Sequence, residues 1–264
     1  MHDSKQPALF IPHGGGPCFF MDDPRGIWRG MEAYLRGIAA TLPARPRAIL
    51  VVSGHWETEG FAFTGAEHPA LVYDYYNFPP HTYELRYDAP GDPTLAARAT
   101  ALFRDARLPA SIDAARGLDH GVFIPLKVAF PDAAIPVVEM SIDRGLDPAL
   151  HLAAGPALAP LRDEGVLIIG SGMSFHNMRG YGDPRFTAPS DAFDAWLTRA
   201  VEADADIRAA ELTRWEDAPA ARASHPREEH LIPLMVAAGA SDRPGRSDYR
   251  EQVLETAISG FRFS

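Results

Sequence analysis

Ten histidines stand in this chain of 264 residues, and three of them share one setting. Ile49-Leu50-Val51-Val52 is an apolar run with three β-branched residues, which reads as a buried strand. It leads straight into Ser53-Gly54-His55-Trp56. Ala8-Leu9-Phe10-Ile11 leads likewise into Pro12-His13-Gly14-Gly15-Gly16-Pro17, and Val166-Leu167-Ile168-Ile169 into Gly170-Ser171-Gly172, with His176 a few residues on. Histidine at the carboxyl end of a strand is where open α/β sheets bind ligands. Glycine beside it lets other groups approach the backbone closely. The triple glycine does not read as a phosphate loop, because neither GxGxxG nor GxxxxGK[ST] spacing is present. Imidazoles gathered without thiolates suit Zn, Fe, Cu or Ni.

A third metal ligand is expected from late in the chain. His225 and His230 lie five apart, which on a regular helix turns them roughly 140° from one another, so only one can face a site. His230 precedes Leu231 and Leu234 and reads as inward, with Glu229 as the competing ligand. HExxH spacing is absent. His120, in Leu118-Asp119-His120-Gly121, reads equally well as a pocket residue and as a turn residue capped by Asp119. His2, His68 and His151 have no such context, and His81 gains interest only from its aromatic surroundings. Two strand-end histidines and one late group leave metal positions open, the mark of a catalytic site.

The elements that must position these residues alternate between strand and helix. Asp22-Asp23-Pro24 opens a helix carrying Ile27, Trp28, Met31, Tyr34, Leu35 and Ile38, so the first two strands form a βαβ unit and run parallel. Phe61–Phe63 reads as a short strand and Tyr73–Pro90, with five tyrosines, as a long structured loop. Asp92-Pro93 and Asp147-Pro148 open further helices, the first reaching about Arg107. Ile135–Met140 is another strand, Ala192–Trp215 a long helical region, and Pro226 the start of a helix carrying His230. Val253–Phe263 fits either a strand or a helix. No repeat or linker divides the chain. The expectation is an α/β fold: one domain over residues 1–264, with a largely parallel, mixed central sheet and helices on both faces.

Composition narrows the function. A net charge of −10 argues against nucleic acid. Cys18 is the single cysteine, which excludes an internal disulfide and a cysteine-based zinc finger. No segment has a signal-peptide core or the length of a membrane span, so a cytoplasmic location without a membrane partner is expected. The oligomeric state is open, a homodimer included.

Taken together, seven stretches in order resemble the class III extradiol ring-cleaving dioxygenases, in the DOPA-dioxygenase-like branch. They are His13–Pro17, Ser53–Trp56, Tyr73–Pro79, Tyr87–Gly91, Leu118–Gly121 with Pro125-Leu126, Gly170–Gly172 with His176-Asn177, and His225–Leu234. The resemblance implies one divalent metal ion held by His13, His55 and His230. It implies that His176 is the catalytic base or a further ligand, and that His120 lines the substrate pocket. It implies Fe(II) for turnover, although an all-histidine face also suits Zn, which outcompetes Fe(II) at nitrogen sites. The substrate would be a catechol opened with O2, walled by Tyr75 and Tyr76 from the aromatic loop; plain packing of those rings is the competing reading. Arg86 and Lys127 are the cations to consider for a carboxylate on the substrate, although surface solvation is the favoured reading of each. Two rival functions stand beside this one: a zinc hydrolase of amides or esters with His176 as base, and a non-enzymatic metal-binding module.

Overall fold

The computed structural model describes residues 5–264, so His2 lies outside the described residues. Its strands are β1 (Ala8–Pro12), β2 (Ala48–Thr58), β3 (Phe61–Thr64), β4 (Ala110–Asp113), β5 (Val137–Asp143), β6 (Val166–Gly172), β7 (Arg246–Val253) and β8 (Thr256–Phe263). Its helices are α1 (Arg29–Gly37), α2 (Pro93–Asp105), α3 (His120–Ala129), α4 (Pro148–Asp163), α5 (Thr187–Glu202), α6 (Ala205–Thr213), α7 (Ala221–Ser224) and α8 (Ile232–Gly239). All eight strands form one sheet in the order β4-β3-β5-β2-β6-β1-β8-β7. The pairs β1–β6, β6–β2, β2–β5 and β3–β4 are parallel, whereas β3–β5, β1–β8 and β8–β7 are antiparallel. The sheet is therefore mixed, with three parallel pairs at the centre and the fourth, β3–β4, at one edge. β1 and β2 do run the same way, but β6 lies between them.

Alternation along each strand divides the core. Leu9, Ile11, Ile49, Val51, Leu167 and Ile169 face one side, where they pack with α1, α3 and the tyrosine loop. Phe10, Leu50, Val52, Val138, Ile168 and Phe261 face the other, against α2, α4, α5, α6 and α8. Helices thus cover both faces, and the central strands read as unbroken apolar runs because neither face meets water.

Local chemistry explains most element starts. Asp92 and Asp147 accept from the amides of Leu95 and Ala149 at 2.9 Å, so both Asp-Pro pairs open helices as expected. Asp23 instead accepts from Ile27 and Trp28 N at 2.9 and 2.8 Å, organising a turn, and α1 begins only at Arg29. The long region after Ala192 is two helices, broken where Asp204 turns extended, and the first begins earlier, at Thr187. The chain's end is a hairpin: Leu254 and Glu255 take φ of +48° and +65°, the left-handed pair that a two-residue turn needs. Helical periodicity does not extend over His230, because α8 begins only at Ile232. No helix among the described residues is long and apolar enough to cross a membrane.

Candidate metal centre and active site

The carboxyl ends of β1, β2 and β6 lie side by side at the centre of the sheet, so the strand-end histidines converge. His13 follows β1 directly and donates its backbone N–H to Gly172 O at the end of β6. His55 lies near the end of β2. His230 arrives from a turn before α8, not from a helix face as expected, and its carbonyl accepts from Met173 N at 3.0 Å. Two glycines make that approach possible. A Cβ on Gly172 would stand 2.1 Å from His230 O, and one on Gly54 would stand 2.6 Å from Glu229 O. The glycines at these strand ends therefore make room for the chain segment that carries the third histidine.

The three imidazoles point at one another. His55 Nε2 lies 3.4 Å from His13 Nε2 and 3.2 Å from His230 Nε2. Nitrogens held at 2.0–2.1 Å from one metal ion would lie roughly 2.8–3.4 Å apart for right-angle to tetrahedral geometry. Two of the Nδ1 atoms have an acceptor, His13 donating to Gly14 O at 2.9 Å and His230 to Glu229 Oε1 at 2.9 Å, while His55 Nδ1 faces Asp74 Oδ2 at 3.4 Å. Those acceptors leave the lone pairs on Nε2, as metal-bound histidine requires. Burial, reinforced by the neighbouring imidazoles, pushes the pKa of His13 and of His230 well below the ordinary value and that of His55 down to about 4. Three neutral rings with converging lone pairs have no proton to share among them. A divalent cation satisfies all three, so the residues fit the metal.

Two more histidines flank the trio. His120 is the first residue of α3. Its Nδ1 and backbone N–H both donate to Asp74 Oδ1, at 2.7 and 3.0 Å, and its ring centroid is 4.0 Å from that of His55. Asp119 does not cap it. That buried carboxylate instead accepts from the Ser53 hydroxyl and from Arg116, each at 2.8 Å, while Glu139 accepts from Asp119 N at 3.0 Å. This network, with Arg116 stacked over Trp56, lies beneath the end of β2 and the start of α3 and holds His55 and His120 in relation. Burial and the nearby Asp119 charge raise Glu139 well above the usual carboxylate range.

His176 stacks on His230 with ring centroids 3.5 Å apart and planes 20° from parallel. Its Nδ1 lies 3.1 Å from Glu229 Oε1, the oxygen that also accepts from His230. Glu229 thus sits behind the two rings on their Nδ1 side, an orienting group in place of the competing ligand. Burial, the largest single effect, would raise its pKa; the hydrogen bond from His176, a backbone hydrogen bond and the neighbouring His176 and Arg227 together outweigh it and lower the value. The His176 loop is tied down by His176 N to Ser224 O at 3.0 Å and Asn177 Nδ2 to Ala223 O at 2.8 Å. His225 is buried away from the centre and donates to Ser174 O.

All five clustered histidines line one cavity of about 470 Å³. Tyr75 is buried in its wall, its hydroxyl donating to Thr82 O at 2.5 Å and its ring edge-on to His120 at 5.7 Å. Tyr76 lines the mouth and is 79% exposed. Arg86 and Lys127 do not line the cavity: Arg86 pairs with Asp88, and Lys127 donates to Arg86 O. Sequence reasoning passed over Asp74, although an acid inside Tyr73-Asp74-Tyr75-Tyr76 was its visible signal. It also passed over the wall residues Trp28, Met173, Met178, Tyr181 and Leu254, which come from segments with no local motif.

Comparison with known proteins shows the family to which the chain belongs. The family model described as the catalytic LigB subunit of aromatic ring-opening dioxygenase matches residues 7–260. A protein of Beta vulgaris named 4,5-DOPA dioxygenase extradiol is 37% identical over 250 residues, 93% of this chain and 91% of its own. The protein of that name from Escherichia coli K12 is 35% identical, covering 92% and 88%. A dioxygenase of Hapsidospora irregularis, tasH, is 38% identical, covering 89% and 78%. The crystal structure of an uncharacterized Escherichia coli K12 protein superposes with a TM-score of 0.77 at 28% identity, covering 98% of this chain and all of that one. None of these relatives supports a hydrolase. A match over nearly the whole chain, on a scaffold that gathers five histidines around one cavity, makes this protein a member of the metal-dependent extradiol family of aromatic ring-opening dioxygenases.

Proposed function

We propose that the protein opens a catechol ring beside its two hydroxyls with O2, on one divalent ion held by His13, His55 and His230. The observation that carries the reading is the convergence of three neutral Nε2 atoms, two of the rings held at Nδ1 by an acceptor and the third, His55, facing the Asp74 carboxylate. When bound, the metal, Fe(II) for turnover, supplies the positive charge that acidifies the catechol and the redox centre that lets O2 react. Zn can occupy the same nitrogen face in isolated protein.

The side chains divide the remaining work. His176 takes a proton from the catechol and later returns it. Glu229 holds its Nδ1, so Nε2 is the nitrogen free to do this. Imidazole is suited to carrying a proton both ways near neutral pH. His120, with Nδ1 fixed by Asp74, hydrogen-bonds through Nε2 to a reacting oxygen. Burial, the largest single effect, opposes ionisation of Asp74, but the hydrogen bonds from the His120 ring and backbone and the neighbouring His120 and His55 imidazoles together draw its pKa down to about 2, which keeps the carboxylate an acceptor. Tyr75 walls the ring and Tyr76 covers the mouth. Both oxygen atoms end in the product as one ring bond breaks. The reading includes a cytoplasmic setting and neither nucleic acid nor membrane as partner, consistent with the charge of −10.

The test is oxygen uptake. Metal is stripped, Fe(II) is loaded anaerobically, and air and a catechol are added. One O2 consumed per catechol, with a yellow ring-opened product, is the expected result. No uptake across a broad catechol panel, with Fe(II) verified in the protein, refutes it.

A further inference from the structure

We infer that the catechol taken by this site carries an uncharged, apolar substituent, and is neither an amino acid nor a carboxylic acid; this rests on the ring-opening reading above. Beyond the five histidines the cavity wall is built mainly of Trp28, Tyr76, Phe78, Met178, Tyr181 and Leu254, from four separate segments. Among the described residues no lysine or arginine lines it. Among the described residues the one acidic side chain that lines it is Asp74.

Cations on neighbouring segments are engaged or turned away. Arg227 is held in a two-pronged pair with Glu57 at 2.6 and 2.7 Å and lies 3.6 Å from Glu229 Oε2. Arg86 pairs with Asp88, and Arg179, next to Met178, is exposed and lines no part of the cavity. A carboxylate on the substrate's side chain would lose water, find no cation, and approach Asp74. Burying a charge on those terms is strongly unfavourable. The mouth points the other way. Tyr76 and Met178 are 79% and 73% exposed, two of the most exposed large apolar side chains of the described residues, and both line this cavity. An apolar substituent leaving the ring would cover them, which explains why they stand open. The volume of about 470 Å³ falls among pockets for drug-sized ligands and exceeds the need of a bare ring.

The experiment compares catechol, 4-tert-butylcatechol, 4-phenylcatechol, 3,4-dihydroxybenzoate and 3,4-dihydroxyphenylalanine on the Fe(II)-loaded protein. Dissociation constants are measured without oxygen, by calorimetry and by quenching of tryptophan fluorescence, and kcat/KM is then measured by oxygen uptake. The two apolar catechols should bind and turn over at least ~10-fold better than the two acids. Met178→Arg, at an exposed position, sets a guanidinium at the mouth and should narrow that ratio by improving the acids. Acids that bind or react as well as the apolar catechols overturn the inference, as does an unchanged ratio in Met178→Arg. Oxygen uptake with the acids preferred refutes the inference alone. Tight binding of 4-phenylcatechol with no uptake from any catechol supports the apolar pocket and refutes ring opening instead.

Discussion

Gly172→Ala should damage the metal centre without touching a ligand side chain. The new Cβ would lie 2.1 Å from His230 O and 3.1 Å from its carbonyl carbon. Real Cβ contacts almost never fall under 3.0 Å, so the backbone of His230 must retreat by about 0.9 Å. The hydrogen bond from Met173 N to the same oxygen, 3.0 Å long, resists that retreat. The Nε2 separations of 3.2 and 3.4 Å leave little room, and sites of this kind tolerate only about 0.5 Å of misplacement. A displacement near 1 Å can cost on the order of 10²-fold, so metal affinity should fall by roughly 10–100-fold. Gly54→Ala, whose Cβ would meet Glu229 O at 2.6 Å, needs a smaller shift and should lose less. Gly37→Ala, with nothing within 4 Å at the end of α1, should leave metal binding unchanged. Competition against a chromophoric chelator measures all three, with circular dichroism to confirm the fold. Wild-type affinity in Gly172→Ala, or a larger loss in Gly54→Ala, would falsify the account of these glycines; should Gly172→Ala not fold, Gly54→Ala against Gly37→Ala still decides.

Replacing His13, His55 or His230 by alanine should each abolish stoichiometric metal after dialysis, and full occupancy in any two would dissolve the proposed ligand set. His176→Ala should keep its metal and lose roughly 10²–10⁴-fold in turnover; equal metal loss in this variant and in His55→Ala makes it a fourth ligand. Asp74→Asn frees Nδ1 of His120 and weakens the support of His55, and should cost about 10–100-fold in activity or metal affinity. His225 tests pH dependence apart from the metal. Burial, only partly countered by its hydrogen bond to Ser174 O, draws its pKa down to about 3, against roughly 6.5 in the unfolded chain. Between those values the unfolded state binds a proton that the folded state refuses. This group's contribution is therefore full above pH 6.5 and declines as pH falls, by about 1.4 kcal/mol per unit. In chelated protein the buried His13, His55 and His230 add losses of the same sign, so urea unfolding at pH 7, 6 and 5 should show a steeper fall in the parent chain than in His225→Gln, and equal falls in the two would refute the assignment.

Much of this design is written locally in the chain. The central strands announce themselves as apolar runs because both faces are covered, and the strand-end glycines and histidines follow at once. Two Asp-Pro pairs open helices by capping chemistry that needs nothing distant. What eluded sequence reasoning depends on partners far away. β4 is a half-exposed edge strand of four residues whose single neighbour in the sheet is β3, so its own sequence carries almost no signal. Helical periodicity extended over His230 put it on a helix face, where tertiary contact with Gly54 and Gly172 holds a turn. Asp74 looks like any loop acid until His55 and His120 are brought to it. Arg86, beside the tyrosine loop, and Lys127, after the His120 turn, read in sequence as surface cations with a substrate contact as the alternative, because nearness along the chain says nothing about which side of an element a side chain occupies.

The spacing of the three convergent imidazoles along the chain has a consequence in polymer terms. His13 and His55 are 42 residues apart, and His55 and His230 are 175 apart. An ion gripping all three would be a removable cross-link closing two large loops in a chain whose lone cysteine can close none. By loop-closure entropy the longer loop outweighs the shorter by only about 1.3 kcal/mol, so each ring would matter almost equally to the knot. The unfolding midpoint would then follow free metal logarithmically, and a chelator would act on this protein much as a reductant acts on a disulfide-bonded one.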